Sequence, residues 1–175
     1  MRKGFVGPIG DDIPSIFPII AGVMLFLGTV VYATNAIESK NRELDIRRTT
    51  LGLAYIATEK GFINPTDFDS RCQNISRPYA DRQHIKFAIV VKKFCKAINV
   101  NTNVFSAEAD ASTDGRGFDC TNDQTKLSTM ASDPSKVPKD IIILNYPIAV
   151  QDPCGDGSIT NGLGMLNVVV WRPEK

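Results

Sequence analysis

Residues 1–48 read MRKGFVGPIGDDIPSIFPIIAGVMLFLGTVVYATNAIESKNRELDIRR, and the behaviour of this stretch decides the fold of the whole chain. From Ile13 to Ala33 no side chain carries a formal charge. As a helix rising ~1.5 Å per residue, that run reaches about 32 Å, which matches the ~30 Å hydrocarbon core of a bilayer. A secretory signal peptide would pair a basic start with an apolar run of only ~7–15 residues and a nearby small-residue cleavage site. Arg2 and Lys3 supply the basic start and Tyr32-Ala33-Thr34-Asn35-Ala36 imitates a cleavage site, but the run is too long and Asp11 and Asp12 separate it from the basic residues. A buried core helix seldom needs such length. Residues 13–33 are therefore expected to be kept as a single transmembrane helix in contact with a lipid bilayer, preceded by a leader and N-terminal segment over residues 1–12.

Asp12 is placed to cap this helix, and Pro14 falls in the first turn, where its missing N–H would have had no partner. Pro18 lies one turn further in and is expected to bend the helix near Ser15, at the membrane edge where water can satisfy the freed carbonyl. Helical character continues past Ala33. From Thr34 to Lys60 there is no proline and Gly52 is the sole glycine, while Glu38 with Arg42 and Glu43 with Arg47 are i,i+4 pairs in the favourable order. Gly61 reads as a stop. Residues 34–61 would form a helical stalk, and residues 14–60 together one rod of about 70 Å. Val30, Ile37, Leu44 and Leu51 recur every seven residues, but Lys40 and Arg47 take the alternate seam positions. Such a stripe is too thin to bury the helix fully. A solvated stalk and a stalk that packs against identical neighbours through Ile37, Leu44 and Leu51 both remain open; small residues Ala21, Gly22 and Gly28 would permit close approach in the membrane half. Beyond Leu51 the apolar face widens through Leu53, Ala54, Tyr55 and Ile56, so the helix end is expected to dock on a domain.

Residues 62–175 have the size of one ordinary domain. HIKFAIVV (84–91), NVFSAEADA (103–111), DIIILNYPIAV (140–150) and GMLNVVVWR (164–172) are strand candidates, rich in β-branched and aromatic residues. Pro147 implies an edge position or a break in the third. STDGRGFDCTNDQTKLSTMASDPSKVPKD (112–140) reads as loop, and QDPCGDGSITNGLG (151–164) as the connection of an antiparallel hairpin. The expected fold class is α+β: a long N-terminal transmembrane-plus-stalk helix and a small antiparallel β-rich head.

Cys72, Cys95, Cys120 and Cys154 all lie in that head. Zinc sites favour close Cys pairs with further Cys or His ligands, whereas these gaps are 23, 25 and 34 residues and His84 is the sole histidine. No structural metal is expected. An even number among polar loops fits two disulfides in an oxidising compartment; the alternative is free buried cysteines in a cytosolic head. Of three pairings, Cys72 with Cys95 and Cys120 with Cys154 is favoured because each ties neighbouring segments. Arg2 and Lys3 favour an N-terminus inside, Lys40, Arg42, Arg47 and Arg48 argue the other way, and the cysteines tip the balance to a head outside the cytoplasm. Asn74-Ile75-Ser76 is a glycosylation sequon, in keeping with that side.

A short basic leader ending in glycine (MRKG), a following phenylalanine, a long apolar helix running into a polar stalk and a C-terminal β-rich head resemble the type IV pilin superfamily, with archaeal pilin-like and archaellin-like proteins nearest. The resemblance implies that a prepilin-type peptidase cuts between Gly4 and Phe5, and that the apolar helices of identical or related subunits bundle in the core of a surface filament. The sequence departs from the bacterial pattern at Ile9, where a glutamate would stand, and VGPIGDD delays the apolar helix; Asp11 and Asp12 could cap the helix or pair with a nearby amine.

With one histidine, no nucleophile motif, no G-x-G-x-x-G and no P-loop, no catalytic constellation is present, and neither an enzyme nor a cofactor is expected. His84 reads as an ordinary polar residue at a strand end. STDGRGFDC and DPCGDGSIT lack the spacing of a calcium loop and read as solvated turns. A net charge of +1 without a basic cluster gives no case for nucleic acid. The reading is a membrane-anchored pilin-like structural subunit at the cell surface; the rival is a single-pass tether for an extracytoplasmic binding or sensory domain.

Overall fold

The computed structural model describes residues 9–95, 101–108, 116–154, 157 and 161–173. The chain is α+β and divides between Leu44 and Asp45 into two compact units. Helix α1 (Ile9–Thr58) contributes to both. It begins ahead of Asp12, which is therefore not its cap; Asp11 and Asp12 fall in the first turn, a position that favours acidic residues. The helix continues without interruption through Pro18.

In the second unit, β1 (Phe62–Ile63), β2 (Lys86–Lys93), β3 (Arg116–Thr121), β4 (Ile141–Gln151) and β5 (Asn161–Trp171) form one sheet in the order β1-β4-β5-β2-β3. β4 and β5 are the expected antiparallel hairpin, and β2 pairs antiparallel with both β5 and β3. The sheet is nevertheless mixed, because β1 runs parallel to β4 through Phe62↔Ala149 and Ile63↔Val150. Gly61 explains the entry of β1. Its φ of 76° suits glycine, and its N–H donates to Thr58 C=O at 2.8 Å, turning the chain from α1 directly into the sheet.

Side chains alternate between the two faces of the sheet. On one face Phe87, Ile89 and Val91 of β2 and Leu166, Val168 and Val170 of β5 pack with Ile46, Leu53, Ala54 and Ala57 of α1 and with Phe68, Cys72 and Ala80. On the other, Ala88, Val90, Val169 and Trp171 pack with Leu127 and Met130. Coverage on both sides is why FAIVV in β2 is continuously apolar rather than alternating. The contact of α1 starts at Ile46, earlier than the widening after Leu51 implied, and Tyr55 is 68% exposed rather than docked. Buried Thr49 and Thr50 donate their hydroxyls to Asp45 and Ile46 C=O, each at 2.8 Å, so the interface carries no unsatisfied hydroxyl there.

Two regions depart from their expected form. Residues 65–82, for which no element was expected, form α2 (Pro65–Arg71), a π-helical turn (Cys72–Ser76) and α3 (Arg77–Arg82). Asn64 caps α2 by accepting from Thr66 N–H at 3.0 Å, with Pro65 at the first helical position. Arg71 then donates to Ile56 C=O at 3.0 Å and to Glu59 at 2.8 Å, tying α2 to the last turn of α1. Residues 112–140, expected as loop, contain β3, α4 (Gln124–Ser132) and a 3-10 turn (Pro134–Lys136); Asp123 caps α4 by accepting from Lys126 N–H at 3.1 Å. The expected strand 103–111 is irregular over its described part. Asn101 and Asn103 side chains accept from the N–H groups of Asn103 and Phe105 at 2.9 and 3.0 Å, and such side-chain turns compete with a strand ladder.

Both disulfides form, but in another pairing: Cys72 with Cys120 and Cys95 with Cys154, Cα atoms 5.8 and 5.9 Å apart. The first staples the helical layer at the end of α2 to β3. The second follows from topology. β2 and β4 run parallel on either side of β5, so the segments after their C-terminal ends emerge at the same end of the sheet, however distant in sequence. Closing loops with separations of 48 and 59 residues contributes about 4 kcal/mol each in a chain-entropy model.

Gly52 lies against Tyr79: a Cβ there would stand 2.6 Å from Tyr79 Oη and 3.1 Å from Tyr79 Cζ, so the ring would have to shift. Gly52→Ala is expected to destabilise the second unit by about 1–3 kcal/mol through overpacking. Tyr79→Phe in the same chain should recover part of the loss. Denaturant melts of the full chain in detergent, followed by fluorescence of buried Trp171, check both.

Candidate functional site

The most unusual surface is the apolar half of α1. Every described side chain from Ile16 to Arg42 is exposed, with Leu25 at 72% and Phe26 at 66%. Soluble surfaces rarely present so large a contiguous apolar area. Both threonine hydroxyls within it are satisfied locally, Thr29 donating to Phe26 C=O at 2.7 Å and Thr34 to Val30 C=O at 2.8 Å, as suits a hydrocarbon environment. The helix is long and apolar enough to cross a membrane. A Cβ added at Gly22 or Gly28 would meet nothing within 4 Å, so nothing in the described part of this chain requires glycine there.

Ile37, Leu44 and Leu51 are exposed, and none of the three is taken up by the core of the second unit. Around them Arg42 pairs with Glu38, and Lys40 with Glu43 at 3.1 Å. These pairs offset charge beside the apolar stripe without hiding it. Gly4 and Phe5 lie outside the described residues, as do residues 112–115, 155–156 and 158–160 of the two acidic turns; Arg116–Cys120 of the first belong to β3 rather than to a solvated turn. Asn74 is exposed in the π-helical turn, whereas Ser76 of its sequon is buried. His84 is exposed two residues ahead of β2 with a φ of 52°. Among the described residues no group of three or more His, Cys, Asp and Glu side chains is gathered to hold a metal ion.

The head contains one polar feature without a counterpart in the sequence reading. Lys92 and Lys93, at the C-terminal end of β2, are 2% and 0% exposed and point to opposite faces. Lys92 Nζ donates to Asn101 C=O at 2.8 Å and to Asn103 C=O; Lys93 Nζ donates to Asp152 C=O. Each ammonium thus clasps a segment that leaves the sheet, Lys92 the 101–108 segment and Lys93 the chain beside Cys154. Burial lowers the pKa of Lys92. The only hint in the sequence was two lysines closing an apolar strand where a solvated turn would be expected.

Comparisons with protein-family models, curated proteins and solved structures find no match for this chain.

Tyr146 joins α1 to the sheet, its hydroxyl 3.3 Å from Ala54 C=O. Burial pushes its pKa above the ordinary 10.0, opposed in part by a hydrogen bond with Thr58. As pH rises through that range the unfolded tyrosine ionises first, the folded state binds more protons, and stability falls. Lys92 acts oppositely: below its ordinary 10.5 the folded state releases the proton first, so its contribution grows with pH. Tyr146→Phe should therefore flatten the alkaline loss of stability and Lys92→Met should steepen it. Urea melts at pH values from about 9 to 11 measure both slopes.

Proposed function

We propose that the chain is a pilin-like structural subunit: anchored in the cell membrane by one helix, with its disulfide-bonded head outside the cytoplasm, it assembles through that helix with identical or related subunits into a surface filament or pilus-related complex. The observation that carries this reading is the unbroken exposure of apolar side chains along α1 from Ile16 to Ile37. Such a surface needs lipid or other helices as its solvent. The open space at Gly22 and Gly28 and the exposed Ile37, Leu44 and Leu51 favour helices over lipid alone. Two disulfides in the head favour an oxidising side of the membrane. The MRKG leader followed by Phe5 supports processing by a prepilin-type peptidase and the archaeal branch of the resemblance.

Crosslinking in cells of origin tests the assembly. Wild type is expected to give an oligomer ladder, and Leu44→Asp, at an exposed position, to abolish it while the head keeps both disulfides. Intact-mass measurement should place the mature N-terminus at Phe5. A membrane-bound chain that gives only monomers, or a ladder unchanged by Leu44→Asp, replaces the subunit by a tethered binding or sensory head. Recovery from the cytoplasm as a soluble monomer overturns the anchor itself.

A further inference from the structure

Among the described residues, the outer edge of β4 is unpaired over most of its length. β4 pairs with β5 at every position from Ile141↔Trp171 to Gln151↔Asn161, but on its other side only Ala149 and Val150 meet β1. The direction of its backbone groups follows from one bond past the end of β2: Phe94 N–H donates to Leu163 C=O at 3.0 Å. Leu163 and the other odd-numbered residues of β5 therefore turn their groups towards β2, and the even-numbered ones towards β4. Through the register, Ile142, Leu144, Tyr146 and Ile148 are the β4 residues bonded to β5. Ile141, Ile143, Asn145 and Pro147 direct theirs away from the sheet. Pro147, lacking an N–H, falls in this outward set, the position a proline within a strand must take. Among the described residues none outside the sheet bonds to these groups.

The side chains agree. Ile143 is 39% exposed and Ile142, Leu144 and Tyr146 are half-buried, whereas β5 is buried throughout from Leu166 to Trp171. Exposed edges are ordinarily blunted by charge, by proline or by a covering segment. The opposite edge, β3, has such protection: it carries Asp119, and Ala107 C=O lies so close that a Cβ at Gly117 would stand 1.6 Å from it. From Ile141 to Tyr146, β4 carries no charge, and its guard, Pro147, sits beyond them.

We infer that this edge is a homotypic pairing site, at which a second copy of the chain adds its own β4 antiparallel about a two-fold axis at Ile143. The edge matches itself. With Ile143 opposite Ile143, Ile141 stands opposite Asn145 and Ile142 opposite Leu144, each pair on one face as the pleat demands. The outward N–H and C=O groups of Ile141, Ile143 and Asn145 in both copies are then all used, Pro147 stays outside the paired span, and no like charges meet. The contact is isologous and closes at two copies. It is smaller than the ~1,600 Å² of a standard stable interface, so the pair is weak unless the copies are held at high local concentration.

Hydrogen exchange of the full chain in detergent tests this, in the Leu44→Asp background so that helix contacts do not hold copies together. On concentrating the protein, the amides of Ile141, Ile143 and Asn145 should slow several-fold, while those of Ile142, Leu144 and Tyr146, already bonded to β5, stay unchanged. Adding Ile143→Lys, which sets lysine opposite lysine, should abolish the slowing and leave the β5-bonded amides protected. Equal rates at all concentrations, slow exchange even at high dilution, slowing that survives Ile143→Lys, or protection only with an added foreign peptide each overturns the homotypic pair. None of these outcomes bears on helix-mediated assembly, which is read from the wild-type crosslinking ladder.

Discussion

The stripe formed by Ile46, Leu53, Ala54 and Ala57 meets one face of the β2–β5 sheet, and the second unit is arranged around that contact. These residues recur at the helical period, and their burial converts the end of a long helix into part of a core. It covers the apolar residues of β2 and β5 that alternation directs to that face, and it fixes where the chain turns at Gly61 into β1. Gly52 and Tyr79 show how closely the layers approach, since a larger residue at 52 would have to displace the Tyr79 ring. Arg71 secures the same junction electrostatically, bonding the last turn of α1 while α2 lies beside it.

α1 therefore meets two environments along its length. Its C-terminal turns are buried on one stripe by the head's own side chains. Its N-terminal part presents apolar groups on every side, with its threonine hydroxyls Thr29 and Thr34 satisfied within the helix. A helix that is apolar all round needs an apolar surrounding, and on the proposed reading the bilayer and neighbouring helices supply it. The head, small and loop-rich, adds two cross-links and two buried ammonium clasps to its hydrophobic layers. Cys95–Cys154 and Lys93 hold the same end of the sheet, so the long excursions after β2 and β4 are restrained where they leave it. Among the described residues of the sheet, β4 departs from this coverage, for its outer edge keeps both backbone groups and half-buried apolar side chains open.

Local pattern alone determined several elements. An uncharged run of bilayer length, the absence of helix breakers from Thr34 to Lys60 and a glycine at 61 specify α1, because hydrophobicity, propensity and the left-handed stop are properties of neighbouring residues. The β-branched runs of β2, β4 and β5 were equally legible, as was the hairpin of the last two, and Pro147 correctly marked a strand side without a ladder. The short helices α2 and α4 left only their caps in the sequence, Asn64-Pro65 and Asp123, because few turns give periodicity little room. Tertiary structure decided the rest. Asn101 and Asn103 spend their side chains on local turns, so a strand-like composition yields an irregular segment. The parallel course of β2 and β4 brings Cys95 to Cys154, and α2 lying against the sheet brings Cys72 to Cys120; neither proximity is encoded by spacing. Which face of α1 docks, and that Lys92 and Lys93 are buried rather than solvated, likewise depend on segments remote in the chain, whose contacts exist only once the sheet has assembled.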